Sequence, residues 1–168
     1  AAVNYFDLNK NVKPVCSDAR YFLNHSIKKY DLVLVDIFKA EEQPSHVITM
    51  ESLEKLKQNL SDSALLIINW HGYLIGEKGM GTAILNNTLQ RSGYSVAICS
   101  SSSDENYRNL LFVCSLKKMG QNPFQLSQSP EKTDLVNTDD RPLFEKHNAL
   151  ANKTWRANYL NYYQSVSN

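Results

Sequence analysis

An α/β fold, with a mostly parallel sheet that ends in an antiparallel hairpin, is what this sequence predicts, and three observations carry it. Two short runs, Leu32-Val33-Leu34-Val35 and Ala64-Leu65-Leu66-Ile67-Ile68, are apolar at every position, the pattern of strands buried on both faces. Between them Leu53, Leu56 and Leu60 fall on one helical stripe, so strand, helix and strand alternate. Residues 94–99 and 109–116 are two more strand-like segments, joined by a polar loop of serines, Asp104, Glu105 and Asn106. That loop is too short for a helical crossover, so these two strands pair antiparallel.

The remaining elements follow in chain order. Residues 12–16 form a short apolar run, and Asp18-Ala19-Arg20 opens a segment with Tyr21, Phe22 and Ile27 at helical positions, giving strand, turn and helix. The strand after Tyr30-Asp31 ends at Asp36, and a polar loop spans 39–45. Thr49 caps the next helix, and Ser61-Asp62-Ser63 makes a turn before the second apolar strand. Glycines 72, 76, 79 and 81 mark a flexible loop, after which residues 82–92 carry Ile84, Leu85 and Leu89 at helical spacing and stop at Gly93. Residues 117–140 are polar and proline-punctuated, hence irregular. Residues 142–163 are helical, with Leu143, Leu150, Trp155, Tyr159 and Tyr162 on the buried side. The chain divides into an α/β body, 1–120, and a loop with a carboxy-terminal helix packed on it, 121–168.

A chain of 168 residues, 42% hydrophobic and 21% charged, supports one globular unit. Its net charge of +1, from 18 basic and 17 acidic side chains, gives no electrostatic ground for a nucleic-acid partner. Cys16, Cys99 and Cys114 have no CxxC spacing; they read as small buried hydrophobes in strands, neither a disulfide framework nor a zinc site, which favours a reducing, cytoplasmic setting. No run approaches the roughly 20 apolar residues that span a bilayer. The opening Ala1-Ala2-Val3-Asn4-Tyr5-Phe6 has neither an initiator methionine nor signal-peptide zones and reads as the tail of a helix.

The stretch Asp18-Ala19-Arg20-Tyr21-Phe22-Leu23, followed by Tyr30-Asp31-Leu32-Val33-Leu34-Val35-Asp36, resembles the spermidine synthase family. The similarity continues through Pro44-Ser45-His46-Val47-Ile48-Thr49 into residues 64–69. It ends with Asp139-Asp140-Arg141-Pro142-Leu143-Phe144-Glu145 and Trp155-Arg156, which look like the tail of bacterial spermidine-synthase-like proteins, many of them fused to membrane segments. The resemblance implies a Rossmann-like fold of the S-adenosylmethionine-dependent methyltransferase type. It also implies S-adenosylmethionine or its decarboxylated form as co-substrate, an amine acceptor, aminopropyl transfer, and no metal. The family's glycine-rich first loop and the acidic residue ending its second strand have no counterpart here. They are expected before Ala1, so that these residues alone are inactive.

Asp36 directly follows a buried parallel strand, where ligands of open α/β sheets collect. A carboxylate there can orient an attacking amine and accept its proton, and by resemblance Asp36 is the family's catalytic aspartate. Asp18 precedes a helix, where it serves as N-cap; by resemblance Asp18 and Ala19 contact the adenine. Arg20 reads as a surface or salt-bridging residue rather than a ligand contact. The departure from the family comes after Asp36, where Ile37-Phe38-Lys39-Ala40-Glu41-Glu42 replaces the segment holding the diamine-binding carboxylate. Glu41 or Glu42 is the available substitute. Phe38 packs against the adenine, against a different acceptor, or into the core, the commoner fate of phenylalanine. His71, after the second strand, is a base or a structural residue, and His25, His46 and His147 show no ligand spacing.

Three readings follow: a transferase with Asp36 as base, a methyltransferase on the same fold, or a catalytically silent ligand-sensing or assembly domain of a larger membrane protein. The first strand of the family's sheet, the neighbour of the strand leading to Asp36, has no counterpart. That edge is expected to be filled by residues 12–16 or by pairing of two chains into a homodimer.

Overall fold

The computed structural model describes residue 9 and residues 11–39, 42–120 and 126–166; the expected helix tail at 1–6 and the candidate Glu41 lie outside them. In chain order the elements are α1 (Ala19–His25), β1 (Tyr30–Val35), α2 (Met50–Leu56), β2 (Leu60–Trp70), α3 (Gly76–Arg91), β3 (Ser95–Ser100), β4 (Leu110–Ser115), α4 (Phe144–His147) and α5 (Ala149–Val166). The strands form one sheet in the order β1-β2-β4-β3. β1 and β2 are parallel, while β4 runs antiparallel to both β2 and β3. This is the expected parallel sheet closed by an antiparallel hairpin.

The helix ends were written locally. Asp18 Oδ1 accepts the Tyr21 amide at 2.9 Å, and Thr49 Oγ1 accepts the Ser52 amide at 3.1 Å, so both expected caps form. Gly93, at φ +79°, ends α3 as its position forecast. The start of α3 differs from expectation: the helix begins at Gly76, six residues earlier than the spacing of apolar residues indicated. Gly79 sits so close to the preceding turn that a Cβ would lie 2.6 Å from the Leu74 carbonyl carbon. The glycine is there for contact, at a cost in helix propensity of about 1 kcal/mol, and composition alone read it as a loop.

β2 also departs from expectation. Residues 61–63 are not a turn but part of the strand, and the pairing jumps from Tyr30↔Leu60 to Leu32↔Leu65, so the extra β2 residues bulge out of register.

The core lies on one side of the sheet. In the parallel register Val33↔Leu66 and Val35↔Ile68, these residues join Trp70, Leu110, Phe112 and Cys114 against Leu53 and Leu56 of α2 and Leu85 and Leu89 of α3. The alternate residues of β1 face the other way and are open: Leu32 is 57% and Leu34 61% exposed. A strand apolar at every position was expected to be covered on both faces, but α1 packs against α2 and α2 against α3, and the burial at β1 falls on one face. Residues 12–16 form no strand, and Val15 is 65% exposed. Among the described residues β1 therefore remains an edge strand beside an open apolar groove of about 1070 Å3.

Residues 126–143 wrap the α2–α3 side as an irregular belt, pinned by one fully buried asparagine. Asn137 Nδ2 donates to the Ser45 and Ile48 carbonyls at 3.0 Å each, and the Leu143 amide donates to Asn137 Oδ1 at 2.8 Å. Its backbone N–H donates to Thr88 Oγ1 at 3.0 Å, while its carbonyl accepts the Met50 amide at 2.9 Å. Every polar atom of the residue is thus used.

Beyond the belt, Leu143, Phe144, Ala151 and Asn152 are buried, whereas Leu150, Tyr159 and Tyr162, expected on the inner side, are exposed. Of the cysteines, Cys114 is buried in β4 and Cys99 half-buried in β3, but Cys16 is exposed and lies outside any strand. Among the described residues no helix is long and apolar enough to cross a membrane, and no three His, Cys, Asp or Glu side chains cluster to hold a metal ion.

Candidate functional site

The parallel register decides which side chains meet beyond the strands. Val35↔Ile68 is the final β1–β2 pair before β1 ends, so Asp36 and Asn69 emerge side by side at the carboxyl end of the sheet. By the two-residue period of a strand, Asp36 continues the open-face series Leu32 and Leu34, and Asn69 continues Leu65 and Ile67. They meet: Asn69 Nδ2 donates to Asp36 Oδ1 at 2.8 Å. Asp36 is exposed, and Asn69 Oδ1 is buried with no hydrogen-bond partner.

Next to this pair stands a pile of rings. Phe38 stacks on His71 with centroids 5.1 Å apart, His71 on Trp155 at 4.9 Å, and Trp155 on Tyr159 at 5.1 Å. The pile joins the loop after β1, the loop after β2, and α5. His71 is 3% exposed, and its Nε2 lies 2.9 Å from Asn152 Oδ1. The amide oxygen only accepts, so Nε2 carries the proton in that bond. Asn148 Nδ2 donates to the same oxygen at 2.9 Å. Sandwiched between two rings and bonded inward, His71 is built into the wall of the site, which answers its ambiguity in the sequence on the structural side.

Trp70 points the other way from its neighbours Asn69 and His71 and is fully buried. Its Nε1 donates to Thr82 Oγ1 at 3.1 Å, and Phe144 meets it edge-on with centroids 5.0 Å apart. The end of β2 is thereby anchored to α3 and α4, which fixes the direction of the two site residues beside it.

The residues assigned by resemblance to the nucleoside lie on the α1 side. Asp18 has both oxygens engaged: Oδ1 caps α1, and Oδ2 lies 3.0 Å from His46 Nε2. The Tyr21 amide first and His46 second hold its carboxyl below the usual carboxylate range. Ala19 is half-buried against the core. Arg20 makes the salt bridge expected of it, forked onto Asp139, with Nη1 2.6 Å from Oδ1, and it also donates to the His46 carbonyl at 3.2 Å. The guanidinium in turn holds the Asp139 carboxyl below its usual range. Phe38, grouped with Asp18 and Ala19 in the sequence, stands apart from them against His71. The backbones of Lys39 and Glu42 bond to each other, at 2.7 and 3.1 Å.

The sequence marks Asp36, Phe38 and His71 and places Asn69 in the cleft-facing segment after the second strand, but it gives no role to Asn69 or to the ring face of α5. The signal for Asn69 was present: it follows the second apolar strand by the same one-residue step by which Asp36 follows the first.

No family model matches the chain. Over 76 residues, 42% of this chain and 14% of the relative, it is 34% identical to the N-terminal histidine N-methyltransferase of Emericella nidulans. Over 68 residues, 39% of this chain and 23% of the relative, it is 37% identical to the polyamine aminopropyltransferase of Vibrio vulnificus. The chain thus spans under a quarter of the length of either curated relative. Among solved structures, human Methyltransferase-like protein 13 in complex with SAH aligns at 13% identity and a TM-score of 0.53, over 92% of this chain and 65% of that one. MNMC2 from Aquifex aeolicus aligns at 17% identity and a TM-score of 0.46, over 85% and 43%. The human structure, with the sheet order above, shows the fold: the α/β fold of S-adenosylmethionine-dependent methyltransferases.

Proposed function

We propose that this chain is the acceptor-receiving part of a transferase that moves an alkyl group from an S-adenosyl sulfonium donor to a nitrogen nucleophile, by resemblance an aminopropyl group to an amine. The observation that carries the reading is the place of Asp36: an exposed carboxylate at the carboxyl end of a parallel strand, held by Asn69, in a fold of the S-adenosylmethionine-dependent type. In the reaction the amine lone pair forms the new N–C bond. The S–C bond breaks with its electron pair going to sulfur, leaving a neutral thioether, and the proton of the new ammonium passes to Asp36 and on to solvent. Both curated relatives carry names of transfer to nitrogen, one methyl and one aminopropyl, which supports the acceptor class more than the group transferred.

Asp18 and Ala19 are the proposed adenine contacts of S-adenosylmethionine or its decarboxylated form. For Asp18 this requires His46 to yield Oδ2 to the adenine amino group, while Oδ1 goes on capping α1. A methyltransferase is the second reading, favoured by the Emericella relative. Phe38 and Lys39 follow where a second, diamine-binding carboxylate was expected, so the acceptor need not be a diamine.

The test is transfer of a labelled methyl or aminopropyl group to amines by the natural polypeptide that carries these residues. Asp36→Asn keeps the shape and removes the proton acceptor, and the expected result is a fall in kcat of at least about a hundredfold, the lower end for a general base. Transfer undiminished in that variant rules out Asp36, and no transfer with either donor by the unaltered polypeptide leaves the silent assembly domain.

We further propose that two chains associate through β1, whose outer edge has no strand partner among the described residues and whose Leu32 and Leu34 are open. Light scattering at micromolar concentration is expected to give a mass above 19.1 kDa that rises with concentration. A constant 19.1 kDa rejects the pairing.

A further inference from the structure

Asparagine is a poor strand residue, and Asn69 occupies the end of the central strand β2 with one carboxamide oxygen buried and unpartnered. Leaving such an acceptor unsatisfied carries a desolvation cost, which an apolar side chain at the same position avoids. The amide does one visible thing in return: its Nδ2 reaches across the β1–β2 pair to Asp36 Oδ1 at 2.8 Å. Turned round, it would set an oxygen against a carboxylate oxygen, so the orientation is fixed by charge.

The two partners are held unequally. Asn69 stands opposite Leu111 of β4, and the preceding residue Ile68 opposite Val35 of β1, so β2 is pinned on both sides. Asp36 follows an edge strand and is exposed; such a side chain samples several rotamers, and ordering it costs entropy. A donor fixed on the neighbouring strand selects one rotamer, occupies Oδ1, and leaves Oδ2 as the oxygen for an incoming N–H.

We infer that Asn69 is the positioning residue of the acceptor site, acting through Asp36 and serving a small amine whose N–H is received by the second carboxylate oxygen. This rests on the reading of Asp36 given above, and the orphaned Asn69 oxygen is the cost of keeping an amide at that place.

The experiment is a titration of the natural polypeptide that carries these residues, 15N-labelled, with 1,4-diaminobutane, followed by NMR. In the unaltered chain the Asn69 side-chain cross-peaks and the Ile37 amide are expected to shift together, and Asp36→Asn is expected to abolish the response at Ile37. Asn69→Leu is expected to keep the melting temperature while weakening diamine binding, read at Ile37, at least tenfold. The exchange variant Asp36→Asn with Asn69→Asp restores a bond between the two positions with the carboxylate on the wrong strand, and is expected to stay folded without binding. Unchanged affinity in Asn69→Leu overturns the role of Asn69 and leaves Asp36 standing, whereas full binding in the exchange variant means that either strand can carry the carboxylate and overturns both assignments. A silent unaltered chain, or an Asp36→Asn variant that binds as well as its parent, overturns the reading of Asp36 and the inference with it.

Discussion

Asn137→Leu is expected to lower the free energy of unfolding by about 2–6 kcal/mol, a large share of the roughly 5–15 kcal/mol that a domain of this kind possesses. Leucine keeps the branched outline but is bulkier than asparagine, so overpacking adds to the loss at this fully buried position. Most of it comes from the Ile48 carbonyl and the Leu143 amide, which lose the carboxamide that satisfied them, while the Ser45 carbonyl keeps the Ile48 amide at 3.2 Å. Each buried group left without a partner costs about 1–3 kcal/mol. Denaturant unfolding followed by circular dichroism reads the change. Asn11→Ala, at an exposed position, serves as the control and is expected to stay within about 0.5 kcal/mol of the parent. An Asn137→Leu midpoint equal to that of the control means that the belt does not depend on this residue.

Trp70→Ala is expected to cost a further large amount, about 3–5 kcal/mol, the range for removing a buried tryptophan. The ring is fully buried, its edge-on contact with Phe144 at 5.0 Å is lost, and Thr82 Oγ1 loses the indole N–H at 3.1 Å. The informative comparison is Leu34→Ala in the neighbouring strand. Leu34 is 61% exposed, so its truncation is expected to cost less than about 1 kcal/mol. Comparable losses from the two substitutions, measured under the same conditions, mean that the outer face of β1 is covered in solution.

How much of this was legible beforehand varies with the kind of signal. The strands were readable because their apolar runs are continuous, and the antiparallel pairing of the last two followed from the shortness of the 101–109 loop. Asp18 and Thr49 were readable as caps because capping is a local affair of three or four residues. The start of α3 was not, since Gly79 and Gly81 lower helix propensity and their reason for being there, contact with Leu74 and Asn148, exists only in three dimensions. Residues 12–16 look like a strand but find no partner. Asp36 and His71 were marked by their places after strands, while the choice between base and wall for His71 depended on Phe38, Trp155 and Asn152, residues 33 to 84 positions away. Asn69 was visible as the residue that follows the second apolar strand, but its bond to Asp36 depends on the β1–β2 register.

The pinning of the belt by Asn137 also sets an order of events. Its side-chain bonds close loops of 89 and 92 residues, and the bond to Thr88 closes one of 49. Contacts so distant in sequence reward the chain only after the nearer ones have formed. Met50 and Thr88 must already be presented by folded α2 and α3 before residue 137 has anything to hold. The belt is therefore a latch that shuts last, and during synthesis or refolding the carbonyls of Ser45 and Ile48 stay wet until nearly the whole chain is available.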